Sequence, residues 1–162
     1  MQVGFIGLGN VGGQLAGSLI RNGLDVMVRD LDDSLMAQFE EKGASTAPSP
    51  KALAQACDVI ITCLPSPAVC AHVMEAEDGV IAGLSEGKIW LEMSTTDEAE
   101  IKRIAAIVQS KQAMAVDCPV SGGCHRAGTG NISIFAGCER QAFETVLPIL
   151  TKMGRRVIHT GP

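Results

Sequence analysis

The chain has 162 residues, 46% of them hydrophobic, which suits one domain with enough apolar material to bury a core. Its formal net charge is −5, and Lys and Arg fall singly or in pairs such as Lys102-Arg103, so the composition argues against nucleic acid and anionic membrane surfaces as partners. Six cysteines without a C-x-x-C pair, and three separated histidines, make neither a zinc set nor a disulfide framework; they read as reduced thiols of a cytoplasmic protein with no metal.

The chain enters a strand directly, Gln2-Val3-Gly4-Phe5-Ile6. No charged stretch with a cleavable apolar segment precedes it, and no apolar run reaches the roughly 18 residues of a membrane span, so neither a signal peptide nor a span is expected. Val11, Leu15 and Leu19 recur at helical spacing, and Asn22-Gly23 stops that helix. Leu24 to Val28 reads as a second strand. Ser34 opens a helix carrying Leu35, Met36 and Phe39 that ends at Gly43. Ala44-Ser45-Thr46 follows as a short strand, and Ser49-Pro50 as an N-cap with proline at the first helical position.

Asp58 to Leu64 is a nearly continuous apolar run, as a parallel strand covered on both faces requires. Lys88 to Glu92 is another strand. Ile101, Ile104, Ala105 and Val108 then share one helix face. Ala113 to Asp117 is a strand, followed by a glycine-rich loop from Ser121 to Gly130. Ile132, Ile134 and Ala136 alternate with Ser133 and Phe135 in a further strand. Phe143, Val146, Leu147 and Leu150 mark the last helix, and Val157-Ile158 the last strand. The alternation predicts an α/β fold over residues 1–162, a Rossmann-type, doubly wound and mainly parallel sheet.

Gly7-Leu8-Gly9-Asn10-Val11-Gly12 has the pattern G-x-G-x-x-G between a strand and an amphipathic helix. In such a unit Gly7 permits the turn, Gly9 admits a pyrophosphate to the backbone, and Gly12 lets helix and strand pack closely. Free N–H groups near Asn10 and Val11 would face the diphosphate. A plain structural turn is the competing reading. Asp30, at the end of the second strand, is placed to accept ribose hydroxyls and to repel a 2′-phosphate. Leu31 offers no cation to such a phosphate, and Arg29 should point to the opposite face. NAD is therefore the expected cofactor, with NADP the alternative.

Four segments together resemble the β-hydroxyacid dehydrogenases, the family of 3-hydroxyisobutyrate dehydrogenase and tartronate semialdehyde reductase, related to 6-phosphogluconate dehydrogenase. They are the glycine turn, Leu64-Pro65, Met93-Ser94-Thr95, and Asp117-Cys118-Pro119-Val120-Ser121-Gly122-Gly123. Ala127 and Gly130-Asn131-Ile132-Ser133 also fit, with a lean to the 3-hydroxyisobutyrate type. Val11, Cys118 and Gly137-Cys138 depart conservatively from the family's usual Met, Ala and Gly-Gly.

The resemblance implies that Leu64 and Pro65 lie against the cofactor and Thr95 near its nicotinamide. It implies that Ser121, Gly122 and Gly123 hold a small-molecule carboxylate substrate, through a hydroxyl and an anion-binding turn of N–H groups. Leu64-Pro65 could equally just end a strand, Ser94-Thr95 cap the helix beginning near Asp97, and the Ser121 turn be an ordinary loop. His125 reads as a solvated side chain, and Arg126 as a possible contact for a second anionic group.

The family's general acid/base Lys, with an Asn four residues later, belongs to a helical domain following the position of His159 to Pro162, and neither residue occurs here. That domain usually carries the homo-oligomer interface. The expectation is thus the cofactor-binding half of an oxidoreductase, inactive alone. When complete it would move hydride between nicotinamide and a small 3-hydroxy acid or semialdehyde. The competing class is a noncatalytic nucleotide-binding or assembly domain derived from the same family.

Overall fold

The computed structural model describes residues 1–162. β1 (Val3–Ile6) leads through the glycine turn into α1 (Gly12–Arg21), and β2 (Val26–Arg29) leads into α2 (Asp33–Glu41). Next come β3 (Ser45–Thr46), α3 (Pro50–Ala56), β4 (Val59–Thr62), α4 (Pro67–Glu75), α5 (Val80–Gly83) and β5 (Ile89–Glu92). The second half runs α6 (Glu98–Ser110), β6 (Met114–Asp117), β7 (Val120–Ser121), α7 (Gly123–Gly128), β8 (Ile132–Gly137), α8 (Arg140–Met153) and β9 (Gly154–Gly161).

The first six strands are parallel in the order β3-β2-β1-β4-β5-β6. The chain winds outward from β1 to β3 and returns to β4 on the other side of β1. That reversal opens a crevice at the carboxyl ends of β1 and β4, where doubly wound sheets take ligands. β6 and β7 form one antiparallel ladder with β8, in which Asp117 pairs with Gly137, Val120 with Ile134 and Ser121 with Ser133. Between them the Pro119 carbonyl accepts the Phe135 N–H at 3.0 Å, but proline has no N–H to return, and the ladder is interrupted there. β9 lies parallel to β8.

β1, β4 and β5 are buried along their whole length because helices cover both faces. Val59 and Ile61 join Leu15 and Leu19 of α1 and Val146 and Leu150 of α8 on one side. Ile60 and Trp90 join Leu53 of α3, Met74 of α4 and Ile104 of α6 on the other. No helix is long and apolar enough to cross a membrane.

Several local expectations are corrected. β2 starts at Val26 and not Leu24, because the Leu24 N–H still serves the end of α1, donating to the Leu19 carbonyl at 3.1 Å. Asp32, not Ser34, caps α2: its carboxylate accepts the Ser34 and Leu35 N–H groups. Asp97 alone caps α6 through the Glu100 N–H, so Ser94 and Thr95 are not its cap. The stretch read as a loop from Ser121 to Gly130 contains α7, and Ser121 itself pairs in β7. α4 and α5 were not anticipated. α4 opens on Ser66-Pro67, the same cap and proline signal as Ser49-Pro50, with the Ser66 hydroxyl accepting the Val69 N–H at 3.3 Å.

Candidate functional site

A cleft of 950 Å³ opens at the carboxyl ends of β1, β2, β4 and β5. Its floor is the turn from β1 into α1. Gly7 has φ +96°, and a Cβ there would lie 2.3 Å from the Cys63 carbonyl oxygen. A Cβ on Gly12 would lie 2.0 Å from the Gly7 carbonyl oxygen. Gly9 differs: its Cβ would meet no protein atom within 4 Å, although Gly9 lines the cleft. Packing within the protein therefore accounts for Gly7 and Gly12, but not for Gly9.

The N–H groups of Gly9, Asn10, Val11 and Gly12 have no acceptor within the protein, and no side chain caps α1. These donors and the positive end of the helix dipole suit an anion.

On the β2 side, one Asp30 carboxyl oxygen accepts the Leu8 N–H at 2.6 Å and the other the Asp32 N–H at 3.0 Å. Each oxygen retains acceptor capacity for a ligand hydroxyl. Leu31 stands on the rim, 91% exposed. Arg29 was expected to face away from the cleft, yet it lines the cleft with Asp30. β2 ends at Arg29, so strict alternation ends there too, and the guanidinium donates to the Asp30 carbonyl beside Met36 Sδ.

Leu64, Pro65 and Thr95 line the cleft, with Met93, Ser94 and Val120 beside them. Leu8 does not, since its side chain is in the core and its N–H is held by Asp30. Ser121, Gly122 and Gly123 lie just beyond Val120, exposed and outside the cleft wall. His125 and Arg126 on α7 are also exposed. Reading the sequence missed the wall that α4 provides, Val69, His72 and Val73. The Ser66-Pro67 signal would have found it.

The Leu64 N–H donates to Ser94 Oγ at 2.7 Å. Burial, with Glu92 nearby, pushes the Cys63 thiol up to about 12. Burial and then Glu92 also hold the Asp117 carboxyl above its ordinary value. Ser94 and Thr95 border a second cavity of 730 Å³, lined also by Asp117, Gly161 and Pro162. No group of three or more His, Cys, Asp or Glu is placed to hold a metal ion.

The family described as the NAD binding domain of 6-phosphogluconate dehydrogenase matches residues 2–161. A Dictyostelium discoideum protein named "Probable 3-hydroxyisobutyrate dehydrogenase, mitochondrial" is 39% identical over 159 residues, covering 98% of this chain and 50% of that protein. The NAD-dependent L-serine dehydrogenase of Pseudomonas aeruginosa is 33% identical over 161 residues, covering 99% of this chain and 54% of that protein. Among solved structures, Psf3 in complex with NADP+ and 2-OPP superposes with a TM-score of 0.94 at 28% identity, over 98% of this chain and 56% of that one. The chain spans about half the length of the curated relatives it matches.

Proposed function

The chain belongs to the family of NAD-binding domains described for 6-phosphogluconate dehydrogenase, and from that premise we propose that its cleft binds NAD along the carboxyl edge of the sheet. The observation that carries this reading is Gly9, whose missing side chain leaves open space against the cleft and relieves no contact within the protein. In this reading the N–H groups of Gly9, Asn10, Val11 and Gly12 hold the pyrophosphate, and Asp30 the adenosine ribose. Leu8 contributes by joining the turn to Asp30. Leu64, Pro65 and Thr95 border the nicotinamide end. Asp30 and Leu31 favour NAD over NADP, since the carboxylate repels a 2′-phosphate and no cation follows it.

The whole protein is proposed to be an oxidoreductase acting on a small 3-hydroxy acid or its semialdehyde. Bound in the cleft, the nicotinamide would supply or accept the hydride. Ser121, Gly122 and Gly123, beyond Val120, would hold the substrate carboxylate: the hydroxyl donates, and the turn at Gly122 (φ +136°) and Gly123 (φ +75°) exposes N–H groups. No Lys lines the cleft, so this chain alone is proposed to bind cofactor without turnover.

Calorimetry with NADH and NADPH on the 162-residue chain tests the reading. NADH should bind, and more tightly than NADPH. Absence of binding to both would remove the cofactor assignment, and equal or tighter NADPH binding would remove the preference.

A further inference from the structure

Glu92, the last residue of β5, is a fully buried carboxylate that forms no ion pair. Burying such a group costs free energy unless donors surround it. Its Oε1 accepts the Ser94 N–H at 2.6 Å. Its Oε2 accepts the Thr62 hydroxyl at 2.7 Å and the Cys70 thiol at 2.9 Å. The Trp90 indole N–H donates to Thr62 Oγ1 at 2.8 Å.

The rigid donors set part of the direction. An indole N–H only donates, so Thr62 Oγ1 accepts from Trp90, and the Thr62 hydroxyl proton is free to go to Glu92 Oε2. A peptide N–H also only donates, so Glu92 Oε1 is an acceptor. The same reasoning makes Ser94 Oγ the acceptor for the Leu64 N–H. The Ser94 proton then has no acceptor in the protein, and Ser94, 5% exposed, lines the cleft.

Every donor to Glu92 lies on an element that shapes the cleft. Thr62 ends β4, Cys70 is on α4, and Ser94 is in the turn after β5. An apolar side chain could fill the same volume, but it would hold none of them in register.

We propose that Glu92 is a positioning residue for the dinucleotide. Through Ser94 it fixes the Leu64-Pro65 turn against the Ser94-Thr95 turn, and so sets the cleft width where the nicotinamide is assigned. This inference rests on the cofactor reading above. It also gives Trp90, the only tryptophan of the chain, a direct link to the site.

The test is NADH titration of the unaltered chain, Ser94→Ala and Glu92→Gln, below the melting temperature of each, with Trp90 emission recorded alongside. Ser94→Ala deletes the acceptor for the Leu64 N–H together with a hydroxyl that borders the cleft, so Glu92→Gln, which leaves Ser94 in place, separates positioning from direct contact. Glu92→Gln keeps the side-chain length but turns one acceptor into a donor. Lys88→Met, which lies away from the cleft, serves as a control that lowers stability without touching the network. Both network variants should raise the NADH dissociation constant by about tenfold, while the control leaves it unchanged. Trp90 emission should shift in Glu92→Gln. If Glu92→Gln does not fold, Cys70→Ala, which removes a donor to Glu92 from α4 and leaves Ser94 in place, takes its part with the same expected direction. Folded variants that bind NADH as the unaltered chain does would overturn the positioning role and leave the cofactor reading intact. An unaltered chain that does not bind NADH would remove both.

Discussion

Leu8 and Asp30, 22 residues apart in sequence, are joined by a 2.6 Å hydrogen bond from the Leu8 N–H to the Asp30 carboxylate. The bond ties the glycine turn to the end of β2, so the two parts assigned to pyrophosphate and ribose keep one spacing. Asp30 thereby has a structural role before any ligand arrives.

Cofactor preference can be tested without cutting that tie. Asp30→Asn keeps one acceptor oxygen for Leu8 and removes the charge, and Leu31→Arg adds a cation at the rim. The double variant should shift the ratio of NADH to NADPH affinity toward NADPH by at least about tenfold, since a hydrogen bond to a charged group contributes roughly 1.5–3 kcal/mol. Calorimetry with both cofactors gives the ratio. An unchanged ratio would place the ribose elsewhere.

The glycines of the turn should separate by mechanism. Gly9→Ala meets open space and should leave the melting temperature near that of the unaltered chain while NADH binding collapses. Gly12→Ala drives a methyl onto the Gly7 carbonyl, and overpacking of this kind costs typically about 1–3 kcal/mol. It should lower the melting temperature first. Thermal unfolding and NADH titration on the two variants distinguish them, and a Gly9→Ala protein with full NADH affinity would remove the ligand explanation for Gly9.

The sheet was legible because its strands carry their own signals. The apolar run around Val59 to Thr62 can exist only with both faces covered, and Ile132 to Ala136 alternate because one face alone is buried. The glycine turn and Asp30 were legible because their spacing is local. Caps are less legible: in sequence Ser34 reads as the opening of α2, whereas the Asp32 carboxylate accepts the Ser34 and Leu35 N–H groups. The Glu92 cluster was out of reach. It joins residues 62, 70, 90, 92 and 94 from β4, α4, β5 and the turn after β5, and a Glu ending a strand reads as a solvated edge until the helices covering it are known.

Lys88 should matter to stability rather than binding. Its ammonium donates to the Ala54, Gln55 and Cys57 carbonyls at 2.6, 2.9 and 2.7 Å, closing the carboxyl end of α3. Cations there satisfy orphan carbonyls and oppose the negative end of the dipole. Lys88→Met should cost about 1–3 kcal/mol, a fall of several degrees in melting temperature. A melting temperature that does not move would show that water replaces the ammonium at no cost.

Thiol chemistry should single out Cys124. It is the exposed cysteine, whereas Cys57, Cys70, Cys118 and Cys138 are buried and Cys63 is half-buried. Burial also pushes the Cys57 thiol up to about 11 and Cys63 up to about 12, so few thiolates form there at neutral pH. Brief iodoacetamide treatment of the folded chain at pH 7.5, followed by peptide mass spectrometry, should find the label on Cys124. Equal early labelling of Cys63 would mean that the cleft opens more widely than this structure shows.

Asp117 gives the pH dependence. Burial is the first cause of its raised pKa and the charge of Glu92 the second, while no ion pair compensates. In the unfolded chain the carboxyl ionises near its ordinary value of 3.8, and in the folded chain it ionises only at higher pH. The unfolded state therefore binds fewer protons between the two values, and stability falls as pH rises through that window. Well below 3.8 both states are protonated and the penalty is absent; above the folded-state value it is fully present. Asp117→Asn removes the ionisation and keeps the shape. It should therefore be more stable than the unaltered chain at pH 7, with the advantage shrinking as the pH falls toward 4. Urea unfolding of both proteins between pH 4 and pH 8 measures this difference directly. An Asn variant that is less stable at pH 7, or whose advantage grows on acidification, would mean that the Asp117 carboxylate is held by a favourable partner in the folded protein and that its pKa is not raised.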